Sequence, residues 1–145
     1  MWAKDHPDPW QMRGFPGKVR RLAWSRPTIK GAGAPLLASM SSNTIVVWTK
    51  AVDTSAGWEH QLLEAHEDSV EAIAFRPKSL VLASAAEDGR LHLWNKSRRI
   101  VQTLKGASDG FSCLAWSRAG NMLAAGGSSG ELWVWSEMNT GKGFK

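Results

Sequence analysis

The chain has no tyrosine, one cysteine and no apolar run long enough to cross a bilayer in its 145 residues. A lone Cys113 can close no internal disulfide and has no second thiolate for a zinc pair, so a disulfide scaffold is excluded and a reducing, cytoplasmic setting is expected. His6, His60, His66 and His92 show no metal-ligand spacing with one another or with Cys113, so neither a metal nor a cofactor is expected. The N-terminus MWAKDHPDPW lacks a basic n-region and an apolar h-region, so neither secretion nor a membrane partner is expected. Acids are missing between residues 9 and 52, which carry Arg13, Lys18, Arg20, Arg21, Arg26, Lys30 and Lys50. Residues 53–71 reverse this, with six acids and no Lys or Arg. The net charge of +5 permits an acidic partner, although ordinary solubility is the better account of it. Helical periodicity is missing as well, and nothing reads as a helix longer than a turn.

What is present in excess is tryptophan. Nine Trp is about four to five times the usual share, so some element of the design re-uses it. At 43% hydrophobic and 21% charged, a chain of this length suits one globular domain with a core. The excess comes from a repeat. KVRRLAWSRP (18–27) returns as SVEAIAFRP (69–77) and as GFSCLAWSRAG (110–120). Each copy is followed by a second apolar stretch: PLLASMSSNTIVVW ends at Trp48, LVLASAAEDGRLHLW at Trp94 and NMLAAGGSSGELWVW at Trp135. Trp94 and Trp135 are 41 residues apart and Trp48 and Trp94 are 46 apart, so the unit is 41 residues and the first copy carries insertions. These fall at residues 30–34 and in the loop 53–57.

Within a copy the pattern is strand, turn, strand, tight turn, strand; in the second copy this gives strands over 70–75, 80–85 and 91–94. Both faces are largely apolar, so cover on both sides is expected. Asp88-Gly89 suits a two-residue hairpin, and Gly130 and Asn43 occupy the matching places as residues that tolerate a left-handed backbone. Weaker fourth strands are expected over 59–63 and 100–104.

A unit of about 40 to 45 residues with four strands and a Trp closing the third resembles the WD40 propeller family. The resemblance covers residues from about 9 to 136 and implies an all-β chain: about three blades of four antiparallel strands plus one extra outer strand over 9–15, a partial propeller. Residues 1–8 are then an N-terminal extension and residues 9–145 the blade array, with repeats of roughly 14–58, 59–104 and 105–138. The family's hydrogen-bonded tetrad maps onto His66, Ser84, Asp88 and Trp94, as structural glue in which a buried carboxylate takes donors and a hydroxyl relays to the indole. No nucleophile stands open in it, so no enzyme is expected. The other copies depart: Gly14-Phe15 and Ser42 replace the Gly-His pair and the Asp in the first, Gly106-Ala107 and Ser129 in the third, so these two blades are expected to rely on packing alone. Trp48, Trp94 and Trp135 close the repeats.

The resemblance implies a non-catalytic scaffold that binds another protein through its loops and rim. Arg20, Arg21, Arg26 and Trp58 are the candidate partner surface, Trp58 as an aromatic in a polar loop. The alternative is polyanion or nucleic-acid binding by the basic first blade, recognisable by a steep salt dependence. The cluster Lys96, Arg98, Arg99 reads as a solvated connector, and 126–130 as a hairpin turn rather than a phosphate loop, lacking the Lys-Ser/Thr ending. Three blades fall short of the about four to eight of a closed ring. The missing blades are expected either from a longer chain or from self-association.

Overall fold

The computed structural model describes residues 9–26, 35–50, 57–95 and 99–136, all in strands, turns and extended segments. Strands β1 (Arg21–Trp24), β2 (Leu37–Ser41), β3 (Thr44–Lys50) and β4 (Trp58–Leu63) form one antiparallel meander. The second sheet is β5 (Val70–Phe75), β6 (Val81–Ala86), β7 (Arg90–Asn95) and β8 (Arg99–Lys105), and the third is β9 (Phe111–Trp116), β10 (Met122–Gly127) and β11 (Leu132–Ser136). Valine, isoleucine, leucine and tryptophan fill the ladders, and turn chemistry separates them. Gly89 turns the β6–β7 hairpin at φ 76°, and a Cβ there would stand 3.0 Å from the carbonyl oxygens of Gly106 and Ala107. In the β2–β3 hairpin the left-handed position falls on Ser42 (φ 55°) and not on Asn43, whose side chain instead donates to the His66 carbonyl.

The inner strand β5 touches β1 on one side and β9 on the other, so the sheets stand as successive blades around a common edge. Between the first two, Met40, Ile45, Val47 and Leu63 pack on Val70, Ile73, Leu82 and Trp94. Between the last two, Leu91, Leu93 and Leu104 pack on Phe111 and Leu123. The middle sheet is thus covered on both faces, and β6 and β7 are buried along nearly their whole length. The third sheet corrects the expectation of cover on both sides. Burial alternates along β11, and its outward face shows Leu132 75%, Val134 58% and Met122 45% exposed. Its partner face is occupied by the second sheet; the other face has no described neighbour.

Residues 9–15, expected as an outer strand, pair with no strand. Pro9 has no N–H to give a ladder and Gly14 bends at φ 103°. The segment instead lies over the free face of the first sheet. The Phe15 ring stands 6.1 Å from that of Trp48, and Lys50 Nζ sits 4.3 Å over the Trp10 ring. The extension 1–8, most of the two insertion loops, Lys96, Arg98 and everything past Ser136 lie outside the described residues.

Candidate functional site

The loop before β5 brings His66 beneath the β6–β7 hairpin, β6 contributes Ser84, and the end of β7 contributes Trp94. His66 Nδ1 lies 3.0 Å from Asp88 Oδ2, His66 Nε2 lies 2.8 Å from Ser84 Oγ, and Trp94 Nε1 donates to Ser84 Oγ at 2.9 Å. A carboxylate accepts only, so Nδ1 carries the proton and donates to Asp88. Nε2 then accepts from the Ser84 hydroxyl, whose oxygen accepts from the indole. This assignment is that of the neutral histidine, the form that its lowered pKa favours near pH 7. The backbone N–H groups of Glu67 and Arg90 donate to the two Asp88 oxygens at 3.1 and 2.9 Å.

Burial dominates the His66 pKa and pushes it below the usual histidine value, against the pull of Asp88. Burial also works to raise Asp88, but the donors from Arg90, His66 and Glu67 together hold its carboxyl below the ordinary range. His92 lies beside the tetrad, its ring 4.5 Å from that of His66 and its Nδ1 2.9 Å from Thr103 Oγ1. Burial, reinforced by repulsion from His66, lowers it to about 4. The order Ser, His, Asp is that of a hydrolytic triad, but Ser84 is 0% exposed and its hydroxyl is committed at both ends. No substrate atom reaches it.

The first blade does not rely on packing alone. Trp48 Nε1 donates to Ser39 Oγ at 3.0 Å, and that hydroxyl donates to the Val46 carbonyl at 3.1 Å. Ser39 was legible as the last residue of Leu-Leu-Ala-Ser, the counterpart of Val-Leu-Ala-Ser at Ser84, but counting back from the Trp misses it because the hairpin is one residue shorter. In the third blade Ala125 stands at that place. There Ser129 in the hairpin donates to Asp109 in the preceding loop, which keeps the tie between hairpin and loop with carboxylate and partner exchanged. Among the described residues no group of three or more His, Cys, Asp or Glu is placed to hold a metal ion, and no helix is long and apolar enough to cross a membrane.

The four candidate surface residues do not converge. Arg20 is ion-paired to Glu71 at 3.5 Å, beside the start of β5, and Arg21 donates to the Arg20 carbonyl. Arg26 is exposed at the opposite end of β1. Trp58 is no loop residue: it opens β4, half-buried, with the Trp24 ring 6.4 Å away and Lys50 Nζ 5.8 Å over its face. Near Arg26 the inner strands end in a groove of about 510 Å³ whose lining includes Phe75, Pro77, Lys78, Trp116 and Arg118. The Trp-Ser-Arg repeat signalled it, but that motif reads first as strand core.

The model of the WD domain, G-beta repeat, matches residues 57–95 and 98–136. Each match begins on the outer strand of one sheet and runs through the three inner strands of the next, which ties consecutive sheets together. The chain is 30% identical over 124 residues to the "Protein transport protein SEC13" of Chaetomium globosum, covering 78% of this chain and 42% of that protein. It is 26% identical over 89 residues to the "Probable cytosolic iron-sulfur protein assembly protein 1" of Kluyveromyces lactis, covering 54% and 27%. The chain spans less than half the length of these curated relatives. A chain of the crystal structure of the Mitotic Checkpoint Complex superposes with a TM-score of 0.69 at 24% identity, over 86% of this chain and 36% of that one, which is a likeness of fold.

Proposed function

This chain belongs to the WD domain, G-beta repeat family, and on that premise we propose that it is a non-catalytic scaffold that holds another protein against a rigid arc of sheets. The observation that carries the reading is the outward face of the third sheet. Leu132, Val134 and Met122 stand exposed on a surface of the kind that is buried between blades elsewhere in the molecule. Covering each fully is worth about 1.5–3 kcal/mol, so the face favours a protein surface over water. In this reading the face seats the partner protein, or a further blade from more of the same polypeptide or from another copy. The sealed tetrad supports the non-catalytic half of the proposal, since its one hydroxyl is enclosed. The cytoplasmic setting belongs to the same reading and is supported by the lone exposed Cys113 and by a relative named as cytosolic.

The test is capture of binding proteins on the immobilised full chain, followed by mass spectrometry, beside a Leu132→Lys, Val134→Lys variant. Specific protein capture that the variant loses is the expected result. Capture of nothing, or capture unaffected by the variant, removes the reading.

A further inference from the structure

We propose that the groove at the ends of β1, β5 and β9 is a docking site for an acidic peptide segment carrying an apolar side chain. This rests on the scaffold reading above and names a partner chemistry for a second surface, distinct from the outward-facing Leu132 and Val134 of the third sheet.

The groove follows directly from the repeat. After each inner strand one N–H pairs back to the start of the next: Ser25 to the Leu36 carbonyl at 2.9 Å, Arg76 to Val81 and Ser117 to Met122, both at 2.8 Å. The motifs Trp-Ser-Arg, Phe-Arg-Pro and Trp-Ser-Arg therefore leave their strands in the same way and land side by side. Phe75, Pro77 and Trp116 supply an apolar lining, and Arg26, Lys78 and Arg118 stand exposed around it. Arg76 stiffens the wall. Its Nε donates to the Gly120 carbonyl at 2.7 Å and its guanidinium lies 5.7 Å over the Trp116 ring. Gly120 is required there, at φ 76°, where a Cβ would come within 3.3 Å of the Arg76 side chain.

No carboxylate lines the groove among the described residues, and the connector 27–34 contains no acid in its sequence. The acids of the second sheet gather at the other end of β5, where Glu67, Glu71 and Asp88 are spent on Arg90, Arg20 and His66. Arg26, Lys78 and Arg118 thus face the groove with no carboxylate beside them among its described lining residues, and a concave wall concentrates such a potential. Guanidinium forks suit carboxylates, and the apolar lining rewards one buried side chain. A nucleic acid fits less well. The Trp116 face carries a guanidinium where a base would stack, and the cations surround one pocket where a strand would need a track.

Binding is read by fluorescence anisotropy on the full chain with a labelled synthetic peptide that places Asp and Glu on both sides of one Leu-Phe pair. Arg26→Glu with Arg118→Glu should weaken it about tenfold or more, whereas Lys105→Glu at the other end of the second sheet should not. A peptide with Leu-Phe changed to Ser-Ser should also bind more weakly. The proposal is overturned if the folded wild-type chain does not bind the peptide, if the double variant binds it unchanged, or if a single-stranded oligodeoxynucleotide of equal charge displaces it at lower concentration. Circular dichroism of the variant separates lost binding from lost fold. Capture through the third sheet is read with Leu132 and Val134, so either proposal can fail alone.

Discussion

At the scale of single residues, the tetrad is a network in which every proton has one place. Removing His66 leaves the Asp88 carboxylate and the Ser84 hydroxyl each one hydrogen bond short, and removing Asp88 leaves the His66 Nδ1–H and two backbone donors short. His66→Ala and Asp88→Ala should each cost about 1–3 kcal/mol in urea unfolding. Because both remove the same bond, the double variant should cost less than the sum, and strictly additive losses would show the two to be uncoupled. His92 adds a pH dependence. Its pKa is lowered on folding from 6.5 to about 4 and that of His66 is lowered too, so the unfolded chain takes up protons that the folded chain refuses. Their contribution is complete above pH 6.5 and declines as pH falls toward about 4. Asp88, held below 3.8, loses its share only at still lower pH. Unfolding free energy measured across that window should decline, and His92→Gln should flatten the decline; an equal slope in the variant would assign it elsewhere.

At the scale of the element, the third strand of each copy carries the same residue near its end with unequal consequences. Trp94 is 4% exposed and Trp48 8%, each with a serine hydroxyl for its indole, whereas Trp135 is only half-buried on the one-sided third sheet. Trp94→Ala should cost about 3–5 kcal/mol, and Trp48→Ala nearly as much. Trp135→Ala should cost least, about 1–2 kcal/mol, since part of its surface is already wet. Denaturation midpoints give the order, and a Trp135 variant as damaged as the Trp94 variant would contradict the half-exposure of its ring. Strand order, hairpins and the closing tryptophans were legible because they obey period two and turn chemistry. The N-terminal segment was not: its Trp10 and Phe15 look like strand residues, and only the free face of the first sheet, with Trp48 waiting, gives them another place.

At the scale of the molecule, the arc shows apolar surface at both ends. Residues 10–15 lie over part of the first sheet's free face, where Leu22, Trp24 and Leu62 remain 63%, 52% and 49% exposed, and the third sheet's face bears Leu132, Val134 and Met122 in the open. Light scattering after size exclusion should therefore find the isolated chain associated at micromolar concentration. Leu132→Lys with Val134→Lys should shift it toward monomer with an unchanged circular dichroism spectrum. A monodisperse, fully folded monomer from the unmodified chain would count against the open face.

The residues of this chain alone determined its class, its repeat, its turns and the set His66, Ser84, Asp88 and Trp94, because each depends on spacing along a ladder or on a pattern copied within the chain. Only the tertiary structure decided the remainder. That Ser39 serves Trp48, that Arg20 is spent on Glu71 and that Arg26 and Arg118 share one groove depend on which sheet lies beside which. Alternation along a strand gives a side chain's face but not what stands against it, so Leu132 and Leu91 read alike in sequence and differ only because one meets a neighbouring sheet and the other meets water.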